Sequence, residues 1–491
     1  MDPELSLSVE AGCGILTMVV AVTAVSDANA TDASATATTQ PTKANNLGRE
    51  ARARQWAEWV LGAILVIAPL WLGGKPALAS LALEVLALAI VALLVMQSRP
   101  LPISAREGIA IASLLGLPLL YLLPLPVTVA SWLPGHALYA EASALMVGEM
   151  DSGWTRLSLV PRMTESSWLF LWVPVGVFVG TRWLEPAALL RLALLVLAVG
   201  LLQGILGAVQ FLLDLAPLGG HLDANVLEGP RSAAGTFSTA GHLAGLLNMA
   251  LALALGLTAH GLEPRSRRRK RRGEALSLGD WLRRYPAIPY MAVASLLLAA
   301  LLLTRSRVGI GLSILAVLIW TLVLAQRSAG QERWLGIPRA LVIIAAGSAL
   351  VMVLLPLFDR FSVPDMMAPQ QGAIVTATLS GIANFFPFGS GPGTYSEVFP
   401  AFQPVELGQW SITHARNLFL EWVFEMGLFG AALIVLGLAM YLRQWLRIAA
   451  AGPWPRQRFL QLGAGIGLLL ALLHGLFDDP LQIPANSVYF A

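Results

Sequence analysis

From residue 56 to residue 476 the chain repeats one pattern: an apolar stretch of about 20 residues, almost free of charge, and then a polar connection. Runs such as ALASLALEVLALAIVALLVM (77–96) and LALLVLAVGLLQGILGAVQFLL (192–213) are too long and too apolar for the elements of a soluble core. Only 12% of the residues are charged, against about 25% in soluble domains. A water-soluble enzyme is excluded. Apolar surface on this scale faces lipid, where the backbone satisfies its own hydrogen bonds in helices or a closed barrel. Barrel strands alternate in polarity at every second residue, and these runs do not. The chain is therefore expected to be an all-α, polytopic helical membrane protein.

Eleven spans are expected, near 56–73, 76–96, 108–125, 165–182, 192–213, 242–262, 286–304, 308–325, 340–358, 420–442 and 459–476. Arg49, Arg52 and Arg54 precede the first and place the N-terminal side in the cytoplasm by the positive-inside rule. Alternation then puts most of the 32 Lys+Arg on that side, in segments 43–54, 97–107, 182–191, 263–285, 326–339 and 443–458. The run Arg265–Arg272 reads as a solvated tether near anionic lipid. Extracytoplasmic loops are expected at 126–164, 214–241 and 359–419, the largest lying between late helices. The basic residues that fall outside are Lys75, Arg156, Arg162, Arg231, Arg305, Arg307, Arg360 and Arg416. Arginine on the wrong side of a positive-inside protein either caps carbonyls and reaches lipid phosphates or binds an anionic ligand, for which its planar fork suits phosphate.

Residues 1–50 stand apart. The apolar stretch 11–25 is short for a span, and its upstream flank is acidic rather than basic, unlike a signal peptide. Residues 26–47 are rich in Ala, Thr, Asn and Asp. The segment is expected to be a disordered extension or an overextended gene start, with one membrane domain over 51–491. The single cysteine, Cys13, excludes a disulfide framework or a cysteine metal site. No Walker A loop, HExxH helix or dinucleotide fingerprint occurs, so no nucleotide-driven pump, cofactor, metal or nucleic-acid partner is expected.

Several outer segments carry candidate chemistry. GPRSAAGTFSTAGHLAG (229–245) leads into the sixth span with Arg231 just above the membrane, and TRSRVG (304–309) sets Ser306 and Arg307 at the mouth of the eighth. NFFPFGSGPGTY (384–395) is a glycine-rich turn whose backbone N–H groups suit an anion or a sugar. In THARNLFLEWVFEMGLFG (413–430), His414 precedes the tenth span and titrates near neutrality if it is wet. Glu421 and Glu425 are one helical turn apart on a face expected to meet the bundle or water. Glu84 lies inside the second span, and is read either as functional or as reaching the interface. Glu149 and Asp151 form an acidic pair of the kind that holds metals, although a solvated loop is the plainer reading. His474 and Asp478 are spaced i,i+4, as for one face of the last span.

Taken in order, these pieces resemble the bacterial O-antigen ligase/polymerase family. They are Arg231 with Gly235-Thr236-Phe237; Ser306-Arg307; Pro387-Phe388-Gly389-Ser390-Gly391-Pro392-Gly393; Asn417 followed after nine residues by Gly427-x-x-Gly430; and His474…Asp478 with Pro484-Ala485-Asn486. The resemblance covers about 56–491. It implies a helical bundle of the multi-spanning, lipid-dependent glycosyltransferase class in the bacterial inner membrane, with a periplasm-facing site. It implies a glycan donor on undecaprenyl pyrophosphate and, as acceptor, a hydroxyl of lipid A–core, of another lipid-linked glycan or of a protein. Arg231 and Arg307 match the family's functional arginines. Arg305, Gly389, Gly391, Gly393 and Asn417 are the expected substrate-binding residues, and His414 and Arg416 complete the expected catalytic set.

Two departures matter. The family's motif has His directly before Asn, where this chain has Arg416, with His414 two residues earlier. Two residues of continuous helix rotate by about 200°, so His414 substitutes only where the chain is irregular. This favours a polymerase-type or divergent transferase in which arginines dominate. The chain also stops at Tyr489-Phe490-Ala491, where relatives begin a twelfth span. Two other classes are open: a transporter of a bicarbonate-like anion, which would set charges inside several spans, and a non-catalytic subunit of a polysaccharide assembly machine.

Overall fold

The structure, a computed structural model, describes residues 41–96, 103–130, 132–136, 154–219, 232–262, 285–328, 368–408, 411–450 and 455–491. It is all-α but for one short antiparallel ribbon, and nine of its helices, among the described residues, are long and apolar enough to cross a membrane. The protein is a multi-pass membrane protein. The expected span at 340–358 and the loop 359–367 lie outside the described residues. The first expected span falls in α1 (Pro41–Leu70), which reaches back past the expected boundary at 51 and is not one of the nine.

The chain divides into two compact units: Met1–Leu192 with Asp365–Ala449 and Gly475–Ala491, and Ala193–Pro364 with Ala450–His474. In the first unit, α1 is followed by α2 (Ala77–Val95), α3 (Ala105–Leu122), the ribbon of β1 (Pro124–Pro126) and β2 (Trp154–Arg156), and α5 (Pro161–Trp183), with a single turn, α4 (Val127–Ala130), after β1. Gly176 lets α5 approach α2 until an added Cβ would sit 3.0 Å from that of Ala87. Small residues at such contacts are how helices associate where lipid removes the hydrophobic drive. Ser104 and Glu107 form a reciprocal capping box at the start of α3. Glu107 is fully buried there, with Arg182 Nη2 of α5 at 3.3 Å.

The second unit takes most of α6 (Pro186–Leu213), then α7 (Ala240–Gly261), α8 (Ala287–Thr304), α9 (Arg307–Ser328) and, after an interval in the first unit, α12 (Arg456–His474). α7 is 78% buried, against 33% for α8, so α7 is the central helix and α8 shows a lipid face. Trp320 of α9 donates its indole N–H to Ala252 O of α7 at 3.2 Å.

The expected loop 359–419 is largely structured where it is described: α10 (Ala368–Phe385) fills its middle, followed by a single helical turn at Tyr395–Val398 and short 3-10 turns. α11 (Leu418–Ala450) follows, and the chain returns to the first unit through a 3-10 turn at Pro480–Gln482 and α13 (Pro484–Phe490). The helix before that return ends at His474, so Asp478 stands on a turn, and the expected i,i+4 register of the pair does not exist. Tyr489 of α13 donates to Leu65 O of α1 at 2.9 Å, and burial keeps its phenol above the ordinary range.

Candidate functional site

The first unit concentrates its polar side chains where α11 begins. Asn417 caps that helix: its Oδ1 accepts from Leu420 N at 3.1 Å, and its Nδ2 donates to Leu476 O at 2.9 Å. A second tie, Leu418 N to Gly475 O at 2.8 Å, joins the same two segments. The amide of Asn417, expected on substrate, is thus engaged in capping and tethering. Upstream of the cap the chain is irregular, and Arg416 adopts φ +50° with its side chain exposed.

That irregularity meets the condition set for His414. Its Nδ1 lies 3.0 Å from Glu421 Oε1, and its Nε2 lies 3.8 Å from Asp479 Oδ2. Glu421 Oε2 accepts the Ala415 N–H at 2.8 Å, so one carboxylate fixes both the ring and the backbone beside it. Glu421 is 1% and Asp479 6% exposed. When Nδ1–H donates to Glu421, a neutral imidazole presents its lone pair at Nε2. A histidine oriented in this way by a buried carboxylate is suited to accept a proton from a hydroxyl.

Next to this pair α11 breaks. Gly427 takes φ +51°, ψ −128°, and the ladder opens at the carbonyls before it. The glycine-rich turn closes the gap: Ser390 N donates to Phe424 O at 3.1 Å, Gly391 N to Glu425 O at 2.7 Å, and Leu428 N to Pro387 O at 2.8 Å. Tyr121 of α3 donates its hydroxyl to Phe388 O at 2.6 Å, with Met426 O at 3.3 Å. A broken helix at membrane depth requires such partners. These N–H groups serve α11, which corrects the expectation that the turn offers them to an anion. Gly391, at φ +117°, is needed for that approach, since a Cβ would meet Ser158 Oγ at 2.6 Å. Gly389 and Gly393 are equally enclosed, by Glu425 O and Ser167 Oγ.

Glu421 and Glu425 both face the bundle interior, as expected. Glu425 accepts from Tyr395 N at 3.1 Å. The Tyr395 ring packs on Phe424 at 5.0 Å and its hydroxyl pairs with Thr378 Oγ1 at 2.8 Å. Burial holds that phenol above its ordinary range, and the nearby Glu421 and Glu425 push it the same way.

In the second unit, Arg305 ends α8 in the left-handed region at φ +55°, with its guanidinium 5.5 Å from the Phe211 ring. Ser306 caps α9 by accepting from Gly309 N at 3.1 Å, which makes Arg307 the first helical residue, with its side chain exposed. Gly235, at φ +62°, exchanges two hydrogen bonds with the Gln210 amide, at 2.7 and 2.6 Å. Gln203 holds Thr236 by two more, at 2.7 and 3.1 Å. Arg231, Arg360, Glu149 and Asp151 lie outside the described residues, and Glu84 is half-buried.

Residues 292–435 match the model of the O-antigen ligase family. This stretch is similar to an O-antigen ligase domain. No curated protein and no solved structure matches the chain. The matched stretch takes in Ser306-Arg307, the glycine turn, the His414–Glu421 pair and the break at Gly427. Asp479 lies beyond the matched residues and was not a sequence candidate. It lies 65 positions from His414 in a segment whose only local signal was its acidic pair, Asp478-Asp479.

Proposed function

We propose that this protein transfers a glycan from an undecaprenyl-pyrophosphate donor to a hydroxyl acceptor on the periplasmic side of the inner membrane. The supporting observation is the His414–Glu421 pair, 3.0 Å apart inside the matched stretch. His414 Nε2 takes the proton of the acceptor hydroxyl as its oxygen bonds to the anomeric carbon of the donor glycan. The carbon–oxygen bond to the pyrophosphate breaks, and undecaprenyl pyrophosphate departs with that electron pair. Glu421 balances the imidazolium that forms. Arg231, Arg307 and Arg416 act on the pyrophosphate, for which guanidinium groups are suited; Arg305 is a further phosphate contact. No metal or nucleotide sugar enters the scheme.

The acceptor is lipid A–core for a ligase, or another lipid-linked glycan for a polymerase. Complementation tests the reading. Deletion should remove long-chain surface polysaccharide, and His414→Ala should fail to restore it at normal protein level. Loss of glycan length marks a polymerase, and loss of attachment to lipid A–core marks a ligase. Full restoration by His414→Ala would remove the proposed base.

A further inference from the structure

Gln482 closes the 3-10 turn that begins beside Asp479, and its backbone N–H returns to Asp479 O at 3.1 Å. Asp479 is the N-cap of that turn, three residues before Gln482. Asp479 is the residue whose carboxylate lies 3.8 Å from His414 Nε2. Gln482 is 4% exposed, and neither its Nε2 nor its Oε1 has a hydrogen-bond partner among the described residues. A buried carboxamide with both ends unmet is costly. Most buried polar groups of this kind are satisfied, so each exception needs a cause.

We propose that Gln482 is a substrate-binding residue that reads hydroxyl groups of the acceptor sugar next to the one His414 deprotonates. This rests on the transferase reading above. A carboxamide supplies two donors and an acceptor without charge, which suits neighbouring hydroxyls of one sugar ring. The pyrophosphate end of the donor is the poorer candidate, because the Asp479 carboxylate lies on the Nε2 side of the histidine. A site built to bond a hydroxyl discriminates strongly against ligands that lack it.

The test is Gln482→Met, which keeps the length and removes the polar atoms. The full-length protein in detergent is titrated with two probes, core oligosaccharide and the repeat-unit oligosaccharide released from the surface polysaccharide of the producing strain. Transfer is assayed in parallel with extracted undecaprenyl-pyrophosphate-linked glycan. The expected result is binding of one probe by the wild type, weakened about 5- to 10-fold in the variant. The acceptor KM should rise by the same factor with little change in kcat, and Tm should be equal or higher. That combination separates binding from a structural role, since relieving an orphaned amide stabilises a core. An unchanged affinity, a lowered Tm, or no binding of either probe by the wild type overturns the proposal. If binding responds but the wild type transfers nothing, the transferase reading fails and the binding role of Gln482 stands.

Discussion

Glu421 grips His414 from both sides of its Cα: one carboxylate oxygen takes the ring at 3.0 Å, and the other takes the next backbone N–H at 2.8 Å. Glu421→Gln keeps the volume but loses the charge that steadies an imidazolium. A hydrogen bond to a charged group is worth about 1.5–3 kcal/mol. Glycan transfer by Glu421→Gln should therefore fall about 10- to 100-fold, with kcat carrying the loss. Single-turnover assays on purified protein check this, and wild-type kcat would show that the pair has no part in the reaction.

Tyr121 should be a stability residue. Its hydroxyl donates to Phe388 O beside the break in α11, and Tyr121→Phe leaves that carbonyl without its side-chain donor. The expected cost is about 1–3 kcal/mol, read as a lower Tm in detergent, with activity retained at low temperature. An unchanged Tm would mean that the turn and the break do not depend on this bond.

Glu107 and Arg182 offer a second stability test. Glu107 is fully buried and Arg182 is 19% exposed at the side chain. Removing one partner of such a pair costs about 3–5 kcal/mol, because the other charge stays buried. Arg182→Leu should lower membrane abundance sharply, and Glu107→Gln added to it should recover most of the loss. Equal abundance of the single and double variants would show that the pairing is not what holds α3 to α5.

The spans were legible because lipid imposes one rule on every stretch of sequence, and the bundle-facing Glu421 and Glu425 followed from helical spacing. The position of His414 was legible only as a condition. Asn417 is a capping residue, and its place before Leu418-Phe419-Leu420 is the local sign that the helix starts after the histidine. The glycine turn was misread because its chemistry depends on a distant event: Gly427 opens the carbonyls of Phe424 and Glu425, and the turn fills them. Tyr121 meets Met426 across 305 positions, and no periodicity encodes such a pair. Asp479 and Gln482 escaped notice for the same reason.

Arg305 and Arg307 separate conformation from binding. Arg305 holds a left-handed backbone at φ +55°, a conformation that costs a non-glycine residue about 1 kcal/mol or more. Arg305→Gly relieves that strain and also removes the contact with Phe211, so its Tm should stay close to the wild type. If the guanidinium contacts phosphate, transfer should nonetheless drop. Arg307 starts α9 with ordinary helical geometry, and Arg307→Ala should leave the fold intact while losing a charge-assisted bond, for about a 10- to 100-fold fall in transfer. Arg231→Ala should behave in the same way. The three variants are compared by surface-polysaccharide gels at matched protein levels. Normal chain length in both Arg231→Ala and Arg307→Ala would refute the phosphate role of the arginines. A loss confined to Arg305→Gly would move that role to the end of α8.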